Sequence, residues 1–112
     1  MDVVSRNRLM LFSGNQNREL AEEVSDLLGV SLGGLESHKF ANDEIYARPT
    51  ESVRCASCFV MQRHTRPIND AIMEQLIIID ALRRASARRI TAVMPFYGYA
   101  RQDKKHRGRE PI

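Results

Sequence analysis

Residues 101–109 form the most basic stretch of the sequence and suit an anionic ligand. They read Arg-Gln-Asp-Lys-Lys-His-Arg-Gly-Arg and hold five of the 17 Lys and Arg residues, with a single acid. The planar guanidinium of Arg101 can grip phosphate oxygens or stack on a base, and Lys104 and Lys105 add point charges. A phosphorylated metabolite, nucleic acid and plain solvation are all compatible with such a run, and taken alone the run is most often a solvated surface.

A second group of candidate ligand-binding residues follows Lys39. Phe40 offers a flat apolar face, and Asn42 and Glu44 carry the hydrogen-bonding groups that distinguish one base edge from another. An isolated phenylalanine is more often a core residue than a platform for a base. The hypothesis of a base-binding site therefore depends on the two polar neighbours.

The cysteines and histidines give weaker signals. Cys55 and Cys58 form a C-x-x-C pair, a spacing found in redox and metal sites. A structural zinc site needs four ligands, and His38, His64 and His106 lack the spacing that would complete one. We therefore expect two ordinary reduced cysteines and no metal site. Nothing next to His64 in the sequence indicates a base or a nucleophile.

Hydrophobic periodicity predicts the elements that position these residues. Strands are expected at residues 8–12, within 30–40, at 44–48, at 59–61 and at 90–94. The second and third of these could pair as a hairpin, which Pro49 would end.

A first helix is expected after the turn Ser13-Gly14-Asn15. Its periodic apolar residues are Leu20, Val24, Leu27 and Leu28, with Asn15 or Asn17 as the N-cap and Gly29 as the C-terminal stop. The turn lacks the glycine spacing of a nucleotide-binding loop, so we expect it to be a plain strand–helix connection.

The clearest helix lies between Pro67 and Arg84. Its apolar stripe is Ile68, Ile72, Leu76, Ile79 and Leu82, widened by Met73, Ile77 and Ile78. A helix that is apolar over so much of its circumference should be buried on two sides. We assign residues 73–82 to the core and give them no chemistry.

Alternation of strands and helices, with continuous apolar strands, indicates an α/β layer with a parallel sheet. Ligands of such sheets bind beyond the carboxyl ends of the strands, where residues 99–105 follow the last predicted strand. No repeat or linker divides the chain, so we expect one domain over residues 1–112. The end at Glu110-Pro111-Ile112, directly after a mobile-looking loop, suggests an incomplete domain.

Composition restricts the class of protein. Hydrophobic residues make up 43% and charged residues 28% of the 112 residues, with a net charge of +3, as in soluble globular domains. No apolar run reaches the length of a membrane span, and residues 1–6 show no secretion signal. A cytoplasmic location without a membrane partner is the default expectation.

Four stretches together closely resemble the ribose-phosphate diphosphokinases, the enzymes that make phosphoribosyl diphosphate. They are Phe40-Ala-Asn42-Asp-Glu44, Glu51-Ser-Val-Arg54, Met73 to Leu82, and Pro95 to Lys105 followed by Arg109 to Ile112. They occur in the family's order and at its spacing, from about Leu9 to the last residue. The string from Tyr99 to Lys104 is the most specific of them.

This resemblance implies a phosphoribosyltransferase-like, three-layer α/β domain with a mainly parallel sheet and a small hairpin. It also implies transfer of the β,γ-diphosphate of ATP to the 1-hydroxyl of ribose 5-phosphate, with Mg²⁺, for nucleotide biosynthesis. The family's subunits assemble into hexamers built from dimers, so a homo-oligomer is expected.

The same resemblance assigns roles to residues of this chain. ATP-binding residues are expected at Phe40, Asn42, Asp43, Glu44, Arg101, Gln102, Asp103, Lys104 and Lys105. Phe40 and Arg101 would enclose the adenine, while Asn42 and Glu44 would read its edge from a neighbouring subunit. Residues from Gln102 onward, with Arg107, would form a flexible loop over the triphosphate. Ser52, Arg54 and Ser86 match positions of a regulatory phosphate/ADP site in many members.

The family's metal-ligand histidine, basic catalytic loop and two-aspartate ribose-phosphate loop follow this point of its chains. We therefore expect no catalytic residue and no metal ligand in this sequence, and no diphosphokinase activity from it alone. Residues Cys55 to Cys58 replace a stretch that usually begins with glycine in relatives. We expect the loss of that glycine to affect the turn beside Arg54.

Two other classes stay open. The chain could be a catalytically inactive regulatory or associated module of the same family. A basic nucleic-acid binder is the weaker alternative, because the sequence has few aromatic residues and no recognised reading motif, so no nucleic-acid partner is expected.

Overall fold

The predicted strands and helices all form in the computed structural model, which describes residues 8–112. They are β1 (Leu9–Ser13), α1 (Arg18–Leu28), β2 (Leu35–Lys39), β3 (Ile45–Pro49), β4 (Ser57–Met61), α2 (Ile68–Arg84) and β5 (Arg89–Val93), with a short 3₁₀ helix at Ala100–Gln102. The expectation about residues 1–6 lies outside the described residues. Within the described elements, no helix has the length and apolarity that a membrane span requires.

Strands β1, β4 and β5 form a parallel sheet in the order β1-β4-β5. Leu11 lies opposite Phe59, which lies opposite Thr91, so the three strands run in register. Strands β2 and β3 pair antiparallel as a separate hairpin, with His38 opposite Tyr46. The predicted parallel sheet and small hairpin are therefore confirmed.

The two helices cover opposite faces of the sheet, because successive strand residues point to opposite sides. Phe12 packs in one core cluster with Ile78 and Leu82 of α2. Leu11, its neighbour in β1, packs in a second cluster with Ala21 of α1. Full burial of an apolar side chain of this size contributes about 1.5–3 kcal/mol. The three-layer α/β architecture expected from the sequence is confirmed.

Helix α1 begins and ends near the residues that the sequence predicts. Gly29 adopts a left-handed conformation with φ 73° and donates its backbone N–H to the Asp26 carbonyl, which confirms the predicted stop. Asn17 occupies the N-cap position, but its side chain makes no capping hydrogen bond. That side chain is buried, and its amide atoms find no partner among the described residues.

The assignment of residues 73–82 of α2 to the core is right for Ile78 and Leu82, which are fully buried, but wrong for two other members of the apolar stripe. Met73 and Leu76 are 50% and 53% exposed, whereas Glu74 and Gln75 are buried. Helix α2 does pack on two structures, the parallel sheet and the hairpin strand β3. Its inward face includes Glu74 and Gln75 because both find hydrogen-bond partners there, which removes the usual cost of burying them.

Four polar residues, Asn15, Ser37, Gln62 and Glu74, form a hydrogen-bonded group around the buried Gln62 and Glu74 side chains, which we call the Glu74 cluster. Oε1 of Glu74 accepts from the Asn15 backbone N–H at 3.0 Å and from Gln62 Nε2 at 2.7 Å. Its Oε2 accepts from Asn15 Nδ2 at 2.6 Å and from Ser37 Oγ at 3.0 Å. The cluster therefore ties α2 to the turn after β1, to β2 and to the end of β4.

Candidate functional site

The segment from Phe40 to Glu44 is the tight connection between β2 and β3. The Phe40 N–H donates to the Glu44 carbonyl at 2.7 Å, and the Glu44 N–H donates to the side chain of Asn42 at 3.2 Å. Asp43 has a φ of 72°, a left-handed conformation that aspartate tolerates better than most residues. The four candidate side chains, those of Phe40, Asn42, Asp43 and Glu44, all lie on the surface.

Phe40 is 49% exposed and belongs to a cluster of three aromatic rings on one face of the hairpin. Its ring centroid lies 5.6 Å from that of His38 and 5.8 Å from that of Tyr46, both at steep angles. His38 and Tyr46 are cross-strand partners, so the hairpin itself orients the Phe40 ring. The sequence analysis did not single out Tyr46, although its place in the alternating β3 pattern makes such pairing recognisable.

Arg101 and Gln102 lie in the 3₁₀ helix that follows β5. Together with the start of α2 they border a cavity of about 560 Å³, lined by Arg66, Pro67, Ile68, Asn69, Asp70, Tyr99, Arg101 and Gln102. The volume lies in the usual range of small-molecule sites. Tyr99 donates its hydroxyl hydrogen to Oδ1 of Asn69, which fixes this loop to the first turn of α2.

A buried histidine holds the segment that leads to Arg101. The His64 N–H donates to the Phe96 carbonyl at 2.9 Å, and the Gly98 N–H donates to His64 Nδ1 at 3.0 Å. Nε2 of His64 lies 2.8 Å from Oε1 of Gln75. The sequence showed no partner for His64 because Gln75 comes from α2, eleven residues away.

The two candidate segments line different cavities of one chain. Phe40, Asp43 and Glu44 border a cavity of about 410 Å³ with Asp70, Met73 and Ile77. Asp70 is the residue shared with the Arg101 cavity. None of the cavities described for residues 8–112 is lined by both Phe40 and Arg101. A single copy thus does not bring together the two residues that were expected to enclose a base.

The negative charge of Asp70, which borders both cavities, is neutralised by a lysine of the hairpin. Lys39 Nζ lies 2.8 Å from Asp70 Oδ2, and both side chains are about half exposed. The hydrogen bond and the negative charge of Asp70 raise the pKa of Lys39 above its usual value. The pair therefore adds no net charge to the region that lies between Phe40 and Arg101.

The chain from Asp103 to Ile112 is exposed throughout. Its shape depends on Glu110, whose Oε1 accepts from the backbone N–H groups of His106 and Arg107. Lys104, Lys105 and Arg107 form no ion pair with another residue of the described chain. Their charges are available to an anion.

The three residues assigned to a regulatory anion site lie on two adjacent loops. Ser52 and Arg54 stand between β3 and β4, where the Ser52 hydroxyl accepts from the Arg54 N–H at 3.4 Å. Ser86 follows α2, and its carbonyl accepts from the Cys55 N–H at 3.1 Å. The structure thus brings the loops together, and Cys55 takes a φ of 62°, a conformation that favours glycine. The turn beside Arg54 therefore forms with cysteine at this position.

Both cysteines are reduced, as expected. Cys55 is exposed, and burial raises the pKa of the Cys58 thiol above its usual value. In residues 8–112 no group of three or more His, Cys, Asp and Glu side chains is arranged to hold a metal ion.

Comparison with known proteins identifies similar chains. The sequence profile described as the N-terminal domain of ribose phosphate pyrophosphokinase matches residues 9–112. The ribose-phosphate pyrophosphokinase of Streptomyces avermitilis is 64% identical over 110 residues, covering 98% of this chain and 34% of that protein. The protein of the same name from Corynebacterium glutamicum is 59% identical over 108 residues, covering 96% of this chain and 33% of that protein.

A solved structure is similar over nearly the same range. The crystal structure of phosphoribosylpyrophosphate synthetase from Mycobacterium smegmatis matches with a TM-score of 0.91 at 57% identity, covering 93% of this chain and 35% of that one. The chain spans about a third of the length of the curated relatives that it matches.

Proposed function

The chain belongs to the family of the N-terminal domain of ribose phosphate pyrophosphokinase, and on this premise we propose that it is the ATP-binding part of such an enzyme. The complete enzyme would transfer the diphosphate of ATP to ribose 5-phosphate and so supply phosphoribosyl diphosphate for nucleotide biosynthesis in the cytoplasm. The observation that carries the proposal is the match over residues 9–112, which includes every residue assigned to ATP.

The geometry of the two candidate segments supports a nucleotide site shared between two copies of the chain. Phe40 presents an oriented aromatic face on the hairpin, and Arg101 borders a separate cavity beyond the end of β5. A base could be enclosed by both only if the hairpin of one copy approached the Arg101 cavity of another. We therefore propose a homo-oligomer in which Asn42 and Glu44 of one copy read the adenine that Arg101 of its neighbour covers.

The chemical contribution of this chain would be positioning and charge neutralisation, which dominate phosphoryl-transfer catalysis. Arg101 and Gln102 would hold the nucleotide, and the unpaired Lys104, Lys105 and Arg107 would lie over the triphosphate. Asp103 would be carried by the same loop.

Mg²⁺ would enter as part of the ATP complex. Among residues 8–112, no cluster of side chains is arranged to hold a metal ion without the nucleotide. The adjacent Ser52, Arg54 and Ser86 loops are proposed to bind a regulatory phosphate or ADP.

Turnover in two forms of the protein tests the proposal. The form with the whole open reading frame that contains this chain is expected to make phosphoribosyl diphosphate from ATP, Mg²⁺ and ribose 5-phosphate. The 112-residue chain alone is expected to make none, because the residues that position the acceptor in the family are absent from it.

Two results would contradict this assignment. Turnover by the 112-residue chain would show that the acceptor site lies within it. ATP binding without turnover in the longest form would instead favour the inactive, associated module of the same family.

A further inference from the structure

We infer that His64 and Gln75 are positioning residues for the nucleotide site: through Gly98 they hold the segment that carries Arg101. The inference rests on the proposed function, since it assumes that Arg101 contacts ATP. Both side chains are buried, with 3% of each residue exposed, and neither borders the cavity that Arg101 lines. They would therefore act on the nucleotide through the backbone.

The sheet fixes the orientation of the Gln75 amide. Its Nε2 donates to the Val60 carbonyl of β4 at 3.0 Å and lies 3.4 Å from the Val93 carbonyl of β5. Carbonyl oxygens only accept hydrogen bonds, so the amide nitrogen must face the strands. Oε1 of Gln75 consequently faces His64.

The Gln75 oxygen in turn fixes the tautomer of His64. Because Oε1 can only accept, Nε2 of His64 must carry the hydrogen across the 2.8 Å contact. In the neutral ring the other nitrogen, Nδ1, then carries a lone pair. That lone pair accepts the Gly98 N–H at 3.0 Å.

Gly98 lies in close contact with the first turns of α2 before the chain reaches Arg101. A β-carbon at this position would come within 3.1 Å of the His64 Cβ and 3.3 Å of Ile68 and Ile72. The backbone N–H can therefore reach a buried side chain. Tyr99 then turns with a φ of 63° into the 3₁₀ helix that contains Arg101.

In this series of hydrogen bonds, the direction of each bond is set by the bond before it. Strands β4 and β5 orient Gln75, Gln75 selects the hydrogen position on His64, and His64 accepts from Gly98. If the tautomer were reversed, the ring N–H and the Gly98 N–H would face each other as two donors. The segment 96–99 would then lose one of the contacts that hold it, the one at Gly98, and Arg101 would sample more positions.

Two substitutions of His64 separate the contact with Gly98 from the contact with Gln75. The His64→Asn side chain reaches about as far as Nδ1 and can accept from Gly98. The His64→Gln side chain reaches about as far as Nε2 and can meet Gln75. We expect this difference in the protein made from the whole open reading frame that contains this chain. There, His64→Asn should bind ATP with an affinity within about threefold of the unchanged protein. His64→Gln should bind ATP roughly tenfold more weakly, as for the loss of one buried hydrogen bond.

Loss of stability alone cannot produce this difference, because both variants remove the ring and one of its hydrogen bonds. Ser25→Ala serves as the control, since it removes a buried hydroxyl from α1, far along the chain from the site. It should lower the melting temperature without changing ATP affinity. Equal affinities of His64→Asn and His64→Gln would overturn the inference.

Nitrogen NMR of the imidazole gives a second test that does not depend on ATP. The His64 ring should show hydrogen on Nε2 and a free lone pair on Nδ1, and Gln75→Met should remove this preference. Hydrogen on Nδ1 in the unchanged protein would overturn the inference even if ATP binds. If the unchanged protein fails to bind ATP, the proposed function fails, while the tautomer and the Gly98 contact are still decided by the spectrum.

Discussion

Five residues other than glycine adopt a left-handed backbone conformation in the described part of the chain. They are Asp43, Cys55, Ser86, Tyr99 and Arg109. Such conformations cost about 1–2 kcal/mol for a residue with a β-carbon and are often retained at ligand sites. Each of the five belongs to a candidate segment or stands next to a candidate residue. This distribution agrees with the proposed ATP and regulatory sites.

Cys55 permits a direct measurement of this strain. With φ at 62° it occupies a position that favours glycine, and its side chain is exposed. We expect Cys55→Gly to raise the free energy of unfolding by about 0.5–1 kcal/mol, because relief of the steric cost exceeds the added freedom of the unfolded chain. Urea denaturation measures the change. Cys55→Ala removes the thiol but keeps the β-carbon, so it should not stabilise the protein; equal stabilisation by both variants would refute strain as the cause.

The two kinds of ATP contact should differ in their response to salt. Phe40→Ala is expected to weaken ATP binding by roughly 1–3 kcal/mol at any ionic strength, because it removes a stacking surface. Lys104→Ala should weaken it through the phosphates, so its effect should shrink as salt rises. Equilibrium ATP binding at two salt concentrations, in the longest form of the protein, measures both.

Two exposed residues of α1 supply matched controls for that experiment. Leu27→Ala removes an exposed apolar side chain, and Arg18→Ala removes one positive charge. Both should leave ATP affinity nearly unchanged. If Phe40→Ala and Arg101→Ala also left it unchanged, the site assignment would be wrong, and residues 101–109 would be an ordinary solvated surface.

At the level of elements, local sequence patterns were sufficient to predict the five described strands and both α-helices, but not the short 3₁₀ helix at Ala100–Gln102. Periodicity, turn residues and Gly29 are properties of short segments, and the parallel sheet follows from their alternation. The inward face of α2 could not be predicted in this way. Glu74 and Gln75 look solvent-exposed in a helical pattern, and only partners brought from β1, β2 and β4 make their burial favourable.

For the candidate site, too, the sequence predicted the residues but not the long-range contacts that position them. The resemblance located Phe40 and Arg101 by number, but not the elements that hold them. The rings of His38 and Tyr46 and the chain from Gln75 to Gly98 join residues that are distant in sequence. Such contacts follow from the packing of α2 and the hairpin, which local patterns in the sequence do not reveal.

The Glu74 cluster should be the most sensitive polar element of the fold. We expect Glu74→Ala to lower the free energy of unfolding by roughly 2–4 kcal/mol, because it leaves the buried amide of Gln62 and the partly buried donors of Asn15 without an acceptor. Glu74→Gln keeps one acceptor and should cost about half as much. Asp80→Ala, on the exposed side of the same helix, should cost at most about 0.5 kcal/mol. Urea denaturation compares the three, and similar losses for Glu74 and Asp80 would contradict the cluster's role.

At the scale of the whole molecule, several large apolar side chains are exposed, because the two helices and the hairpin do not cover them. They include Met73 and Leu76 on α2 and Phe96, Tyr97 and Tyr99 after β5. None of the residues of β5 is fully buried. Apolar surface of this kind is usually covered by another chain or domain, which agrees with a chain that spans about a third of its relatives.

We therefore expect the 112-residue chain to self-associate in solution. Light scattering over a range of concentrations should give a mass above 12.8 kDa that rises with concentration. Replacing Leu76 by Lys should lower that mass, whereas Leu27→Lys on the exposed face of α1 should not. A monomer at every concentration would argue against both the shared nucleotide site and the need to cover this surface.

The pairing of β1 with β4 has a consequence for the order of folding. All of α1 and the hairpin lie between these two strands in sequence, whereas α2 alone joins β4 to β5. The longer closure costs more chain entropy, so we expect β4, α2 and β5 to assemble first and β1 to dock last. Because Asn15 reaches Glu74 only when β1 docks, Asn15→Ala, which removes the amide donor to Glu74, should mainly accelerate unfolding in stopped-flow experiments and leave the folding rate nearly unchanged. Of the three strands of the parallel sheet, the one that comes first in this sequence would then be the last to join it.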